Sequence, residues 1–259
     1  MNLFGKRGQV TAFVLIGIVI VAILALFFVG RQTIFLPTTT QNLNQELDDI
    51  EQHVLECLNE DSVPNANDII ITVGLQGGYL DPVPDSYILF NDSRVSFLCY
   101  NIIFDERCRN RILTTADIEA RISEAVRTSL NGCLDVESFE TFRPYRVSAG
   151  TLKVKTTIED KVVIIDLDYP IALTTNDNRV SRNKFSHTYD YPLGDLYEVS
   201  QDIIENENVV GTFDTLTYML SRQGEFKIYK QTPYPHKLFT LKRDDHEYLF
   251  RFAIEGEPT

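Results

Sequence analysis

Val10–Val29 reads VTAFVLIGIVIVAILALFFV, twenty residues without a charged side chain. At about 1.5 Å of rise per residue, a helix of that length spans about 30 Å, the thickness of a bilayer's hydrocarbon core. A core helix of a soluble domain rarely needs so long an uncharged run. A cleaved secretory signal has a shorter apolar region, about 7–15 residues, ahead of a small-x-small site. Here the run ends Phe27-Phe28-Val29-Gly30-Arg31 instead, so residues 10–30 read as a retained transmembrane helix.

Charge sets the expected orientation. The 259-residue chain holds 24 Lys and Arg against 37 Asp and Glu, a net charge of −13. Lys6 and Arg7 are the only charged side chains in the first thirty residues, and taking them away leaves 22 basic against 37 acidic residues for the rest. Basic flanks stay on the cytoplasmic side of a membrane. Residues 1–9 are therefore expected as a cytoplasmic leader, residues 31–42 as a linker in which Pro37 stops the helix, and residues 43–259 as an extracytoplasmic domain. The expected location is the cytoplasmic membrane with the N-terminus inside, and the lipid bilayer is the first partner. So acidic an exterior repels phosphate backbones and excludes nucleic acid.

Lys6-Arg7-Gly8-Gln9-Val10-Thr11, followed at once by the apolar run, resembles the class III signal peptide of archaeal type IV pilin-like proteins. The resemblance covers the first thirty residues only. It implies that a prepilin peptidase cuts between Gly8 and Gln9 and that the apolar segment begins the mature chain. Gln9 and Thr11 fit the family's pattern. The fifth mature position is Phe13, where many archaeal pilins carry the Glu associated with filament assembly. The resemblance thus implies a pilin-like anchor on a surface protein, with a minor filament subunit as the alternative.

Beyond the linker, Leu43, Leu47, Ile50, Val54 and Leu58 recur at helical steps and predict an amphipathic helix. It is either the lower half of a pilin-like helix broken at Pro37 or the first helix of an independent domain. Ile69–Leu75 reads as a strand ahead of a Gly77-Gly78 turn, with Tyr87–Phe90 and Val95–Tyr100 as further strands. Thr114 or Thr115 caps a helix whose apolar face is Ile118, Ile122, Val126 and Leu130, ended by Gly132. Thr151–Ile158 and Val162–Leu173 flank Glu159-Asp160-Lys161 as a hairpin. Two short helices begin at Asp195 and Thr212. Phe226–Gln231, Leu238–Lys242 and Tyr248–Ile254 make a meander turning at Asp244-Asp245. The expected fold is α+β: a transmembrane helix, then an ectodomain of antiparallel hairpins and meanders packed with short amphipathic helices, with a candidate division into 43–142 and 143–259.

Cys57, Cys99, Cys108 and Cys133 all lie in the expected exterior part, where disulfides form. Four cysteines allow three connectivities. Cys57 ends the first exterior helix and Cys133 follows the second, which suggests a link between helix ends, while Cys99 and Cys108 enclose a short loop. No Cys-x-x-Cys pair occurs, and no metal site is expected. Asp244, Asp245 and His246 are consecutive at a turn, where neighbouring side chains diverge. His53, His187 and His236 stand without an evident ligand set. Asp166 and Asp168 share one strand face, as acid/base carboxylates would, but their alternation with Ile165, Leu167 and Tyr169 makes that face the solvent side.

No nucleophile elbow, phosphate-binding glycine loop or His-Glu-x-x-His helix is present, so neither an enzyme nor a cofactor is expected. A membrane-anchored envelope enzyme is the weaker alternative. Gln76-Gly77-Gly78-Tyr79 is a candidate ligand-contact loop, with a tight structural turn as the competing reading. Asn91-Asp92-Ser93 is a glycosylation sequon. The expected function is a single-pass, membrane-anchored surface protein acting as a binding or interaction module of unknown ligand, with envelope or pilin-like proteins as candidate partners.

Overall fold

The computed structural model describes residues 17–21, 23, 40–59, 64–101, 108–140 and 143–256. Among them no helix is long and apolar enough to cross a membrane. This overturns the expected transmembrane helix as an element of the fold. Of residues 10–30, only 17–21 and 23 are described, helical and exposed, and one such five-residue piece rises only about 7.5 Å. The rest of that stretch, the Gly8–Gln9 junction and most of the linker lie outside the described residues.

Among the described residues the architecture is mixed α/β with two sheets. Helix α1 (Thr40–Cys57) follows the predicted stripe: Leu43, Leu47, Ile50, Val54 and Leu58 are all buried. Each such side chain contributes about 1.5–3 kcal/mol by leaving water. Helix α2 (Ala66–Leu75) stands where a strand was expected. Asn65 caps it by accepting from the Asp68 N–H at 2.8 Å. The run Ile69-Ile70-Ile71-Thr72-Val73 has no alternation because the helix is covered on most sides, and tertiary burial overrides β-branched propensity.

Strands β1 (Tyr87–Phe90) and β2 (Ser93–Asn101) form a hairpin, with β3 (Cys108–Asn110) beside β2. Helix α3 (Thr115–Cys133) opens with a capping box. The Thr114 hydroxyl oxygen accepts from Asp117 N–H at 3.1 Å, and the Asp117 carboxylate accepts from Thr114 N–H at 3.2 Å. A short 3-10 turn (Val136–Glu140) leads to β4 (Arg146–Ala149), β5 (Lys153–Ile158), β6 (Val163–Thr174) and β7 (Arg179–Tyr189). Helix α4 (Leu193–Val210) starts just before the expected Asp195, and α5 (Thr215–Ser221) is capped by Asp214 rather than starting at Thr212. The chain closes with β8 (Phe226–Gln231), β9 (Lys237–Arg243) and β10 (Phe250–Ile254).

In one sheet the order is β1-β2-β10-β9-β8, with β3 also on β2. Its β8-β9-β10 part is the expected meander, but β10 lies parallel to β2, pairing Ala253 with Phe97. The expected all-antiparallel pairing is therefore corrected to a mixed sheet. In the other sheet β6 is central: β7 runs along one side, and β5 and β4 share the other. Along β6, Val163, Ile165, Leu167, Tyr169, Ile171 and Leu173 are buried, with Asp166 and Asp168 exposed between them. One cluster of buried side chains extends from Leu43 to Ile254 and takes in both sheets and four helices. With β10 inserted beside β2, the two candidate subdomains 43–142 and 143–259 share a core.

Two disulfides brace this core. Cys57–Cys133 joins the C-terminal ends of α1 and α3, and Cys99–Cys108 bridges β2 and β3.

Candidate functional site

Helix α3 has two working faces. Ile118, Ile122, Val126 and Leu130 enter the core, whereas Asp117, Ala120, Arg121, Glu124, Ala125, Thr128 and Gly132 follow one another along a second flank. The small side chains there leave room, and Pro64, Ile69 of α2 and Leu80 supply the opposite wall. The result is a groove of about 930 Å³. Its floor is apolar and its rim is charged.

The rim carboxylates are held ionised. Hydrogen bonds from the Thr114 side chain and backbone keep Asp117 below its ordinary value. The guanidinium of Arg127, bound to Glu124 through two nitrogens at 2.6 and 3.0 Å, does the same for Glu124. Asp81 completes the acidic side and pairs with Arg94 at 2.8 Å.

The candidate ligand-contact loop serves this groove as scaffolding. Gln76, Gly77 and Gly78 are buried. Positive φ angles at Gly77 and Gly78 (70° and 91°) turn the chain out of α2, a conformation that other residues adopt only at a cost. Tyr79 is half-buried and donates to the Arg111 carbonyl at 2.8 Å. The Arg121 guanidinium lies 5.5 Å from the centre of its ring. The loop thus fixes Leu80, Asp81 and Arg121 rather than offering Gln76 and the glycines to solvent.

A second groove of about 940 Å³ follows the outer side of α1, lined by His53, Glu56, Cys57 and Asn59 together with His187 of β7. The side-chain ligand atoms of His53, Cys57 and Cys133 lie within 4.8 Å of one another. Both sulfurs are bonded to each other, so neither is a thiolate ligand in this state.

The remaining sequence candidates are accounted for by local structure. Asp168 stands opposite Lys153 and Lys184 in register, and Asp166 opposite Lys155 and Ser186. That is the charge alternation of a solvated sheet face. The Asp244-Asp245-His246 turn is occupied by protein partners: Asp244 by Lys227, Asp245 by Arg243, and His246 Nδ1 by the Tyr248 N–H. His236 packs on Phe97 and accepts from the Gly256 N–H. Asn91 is exposed in the two-residue β1–β2 turn, where it and Asp92 both have positive φ. Among the described residues no Ser or Thr hydroxyl is hydrogen-bonded to a histidine.

No known protein family, curated protein or solved structure matches this chain. The grooves must therefore be interpreted by their own chemistry. The α2–α3 groove can remove an apolar side chain from water, and of its three rim carboxylates Asp117 is in no ion pair among the described residues, whereas Glu124 and Asp81 already bind Arg127 and Arg94. Sequence periodicity identified the core face of α3 but not this flank, whose only local signal is the run of small residues Ala120, Ala125 and Gly132.

Proposed function

We propose that the chain is an extracytoplasmic binding protein, and that its disulfide-braced head takes an apolar segment with basic side chains from a partner protein in the α2–α3 groove. The observation that carries this reading is the union of an apolar floor with the carboxylate of Asp117 at the rim, which is in no ion pair among the described residues. Apolar clefts edged by charge are a common form of peptide recognition, with anchors buried in the cleft and charges selecting the partner. Two disulfides support a location outside the reducing cytosol. The leader Lys6-Arg7-Gly8-Gln9 supports export with cutting after Gly8, for which the expected product begins at Gln9. Mass spectrometry of the mature N-terminus tests that step.

The binding reading is tested with a photo-crosslinking amino acid placed at the exposed Thr128, in cells that make the protein naturally. A discrete adduct with another envelope protein is expected. Ala120→Trp, at an exposed position on the same flank, should fill the groove and abolish the adduct. An adduct that survives A120W, or none at all, removes the groove from consideration. Digestion of the head by protease added to intact cells tests the compartment separately.

A further inference from the structure

His53 and Cys57 are four residues apart on α1, so their side chains leave the same helix face one turn apart. Cys133, at the end of α3, meets them from the neighbouring helix. His53 Nε2 stands 3.8 Å from Cys57 Sγ, and the third ligand atom lies within 4.8 Å of both. In a tetrahedral zinc site, with bonds of about 2.0–2.1 Å to nitrogen and about 2.3 Å to sulfur, neighbouring ligand atoms are about 3.5–3.8 Å apart. The His53–Cys57 edge already has that spacing. The His53–Cys133 edge lies within 4.8 Å, and the disulfide holds the two sulfurs closer than a metal needs. The Phe139 ring, 5.3 Å from the imidazole centre, flanks His53, and the groove along α1 leaves one side of the cluster open for a fourth ligand.

We propose that reduction of the Cys57–Cys133 bond converts this junction into a Cys2His zinc site, in which the ion replaces the covalent link between α1 and α3. A dithiol reductant supplies two electrons and two protons and becomes a disulfide itself, while the Cys57–Cys133 bond breaks to give two thiols. Zinc binding then releases both thiol protons to solvent, because thiolate is the ligand form. The two thiolates balance the charge of the ion, and neutral His53 supplies the third ligand through Nε2. Water or a groove side chain completes the tetrahedron. In a chain still reduced, the ion keeps Cys57 and Cys133 together and away from Cys99 and Cys108, so later oxidation yields the pairing seen here.

The full chain carrying Cys99→Ser and Cys108→Ser isolates the site. After reduction by a phosphine without oxygen, Co2+ is the probe. One Co2+ per chain is expected, with a sulfur-to-metal charge-transfer band and the intense visible bands of tetrahedral cobalt, all displaced by Zn2+. The unreduced protein should show none of these. His53→Ala should weaken binding at least about 10-fold, the smaller end of what even outer-shell changes cost at metal sites. Near-ultraviolet circular dichroism follows the fold, and Zn2+ should preserve or restore the native signal in the reduced chain. Absence of the charge-transfer band, a band indifferent to H53A, or binding by a chain that Zn2+ leaves without native dichroism would each overturn the proposal. None of these outcomes depends on the α2–α3 groove.

Discussion

Tyr248 closes over the α-carbon of Gly74: a Cβ there would stand 2.5 Å from the tyrosine hydroxyl oxygen and 2.5 Å from the Leu249 carbonyl oxygen. The same hydroxyl donates to the Ile70 carbonyl, one turn back on α2, at 2.9 Å. Helix α2 is thus held directly against the chain entering β10. Gly74→Ala sets a helix-propensity gain of about 1 kcal/mol against overpacking on backbone and a buried ring. Overpacking should win, with a net loss of about 1–3 kcal/mol in urea denaturation. Unchanged or higher stability in G74A would show that the two segments are free to separate.

Glu207 anchors the other end of the same sheet. Its carboxylate, 1% exposed, accepts from Lys230 Nζ at 2.9 Å and from Lys237 Nζ, and from the Phe213 N–H at 3.1 Å. The C-terminal part of α4 is thereby tied to β8 and β9. Removing one member of a buried ionic cluster costs about 3–5 kcal/mol when the opposite charge is left uncompensated. The two lysines are 23% and 33% exposed and recover some hydration, so Glu207→Gln should cost about 2–3 kcal/mol. Lys230→Met should cost less, because Lys237 still neutralises the carboxylate. Equal losses in the two variants would contradict this division of roles.

What could be read before folding follows from how local each signal is. The helical spacing from Leu43 to Leu58 and the alternation of β6 from Val163 to Pro170 each record one covered face, and both elements form where expected. Helix α2 escaped because it is covered on most sides, so its apolar run carries no period. Strand β7 escaped for the opposite reason. Among the described residues it pairs only with β6, and it turns few large apolar side chains inward, among them Phe185 and Tyr189. The parallel joint of β2 with β10 unites segments from opposite ends of the domain and has no local signature. The His53–Cys57 spacing was visible, but its third member, Cys133, is brought to it by the packing of α3.

The two disulfides should contribute unequally. Cys57–Cys133 spans 76 positions and Cys99–Cys108 spans 9. In the chain-entropy description these correspond to about 4.5 and about 2.7 kcal/mol as upper values. Replacing both members of the long-range pair by Ser should therefore lower the denaturation midpoint more than the same change in the local pair. The reverse order would mean that the native geometry of the β2–β3 bridge, rather than the freedom of the unfolded chain, dominates.

Several tyrosines give the head an alkaline limit. Burial first, then the hydrogen bond to Glu46, pushes Tyr145 up to about 12. Burial and then the bond to Asp202 push Tyr218 up to about 12 as well. Burial carries Tyr189 and Tyr248 further in the same direction. The unfolded chain releases phenolic protons near the ordinary value of 10, before the native state does. The stability tied to these groups is therefore fully present below pH 10; it is lost as pH rises through about 12 for Tyr145 and Tyr218, and at still higher pH for Tyr189 and Tyr248. Phenolate absorbance in native protein should lag behind the same titration in denaturant. Tyr218→Phe should reduce the alkaline loss of stability, because one group with a raised native value is gone. Superimposable native and denatured titrations would show that these phenols ionise as freely in the fold as outside it.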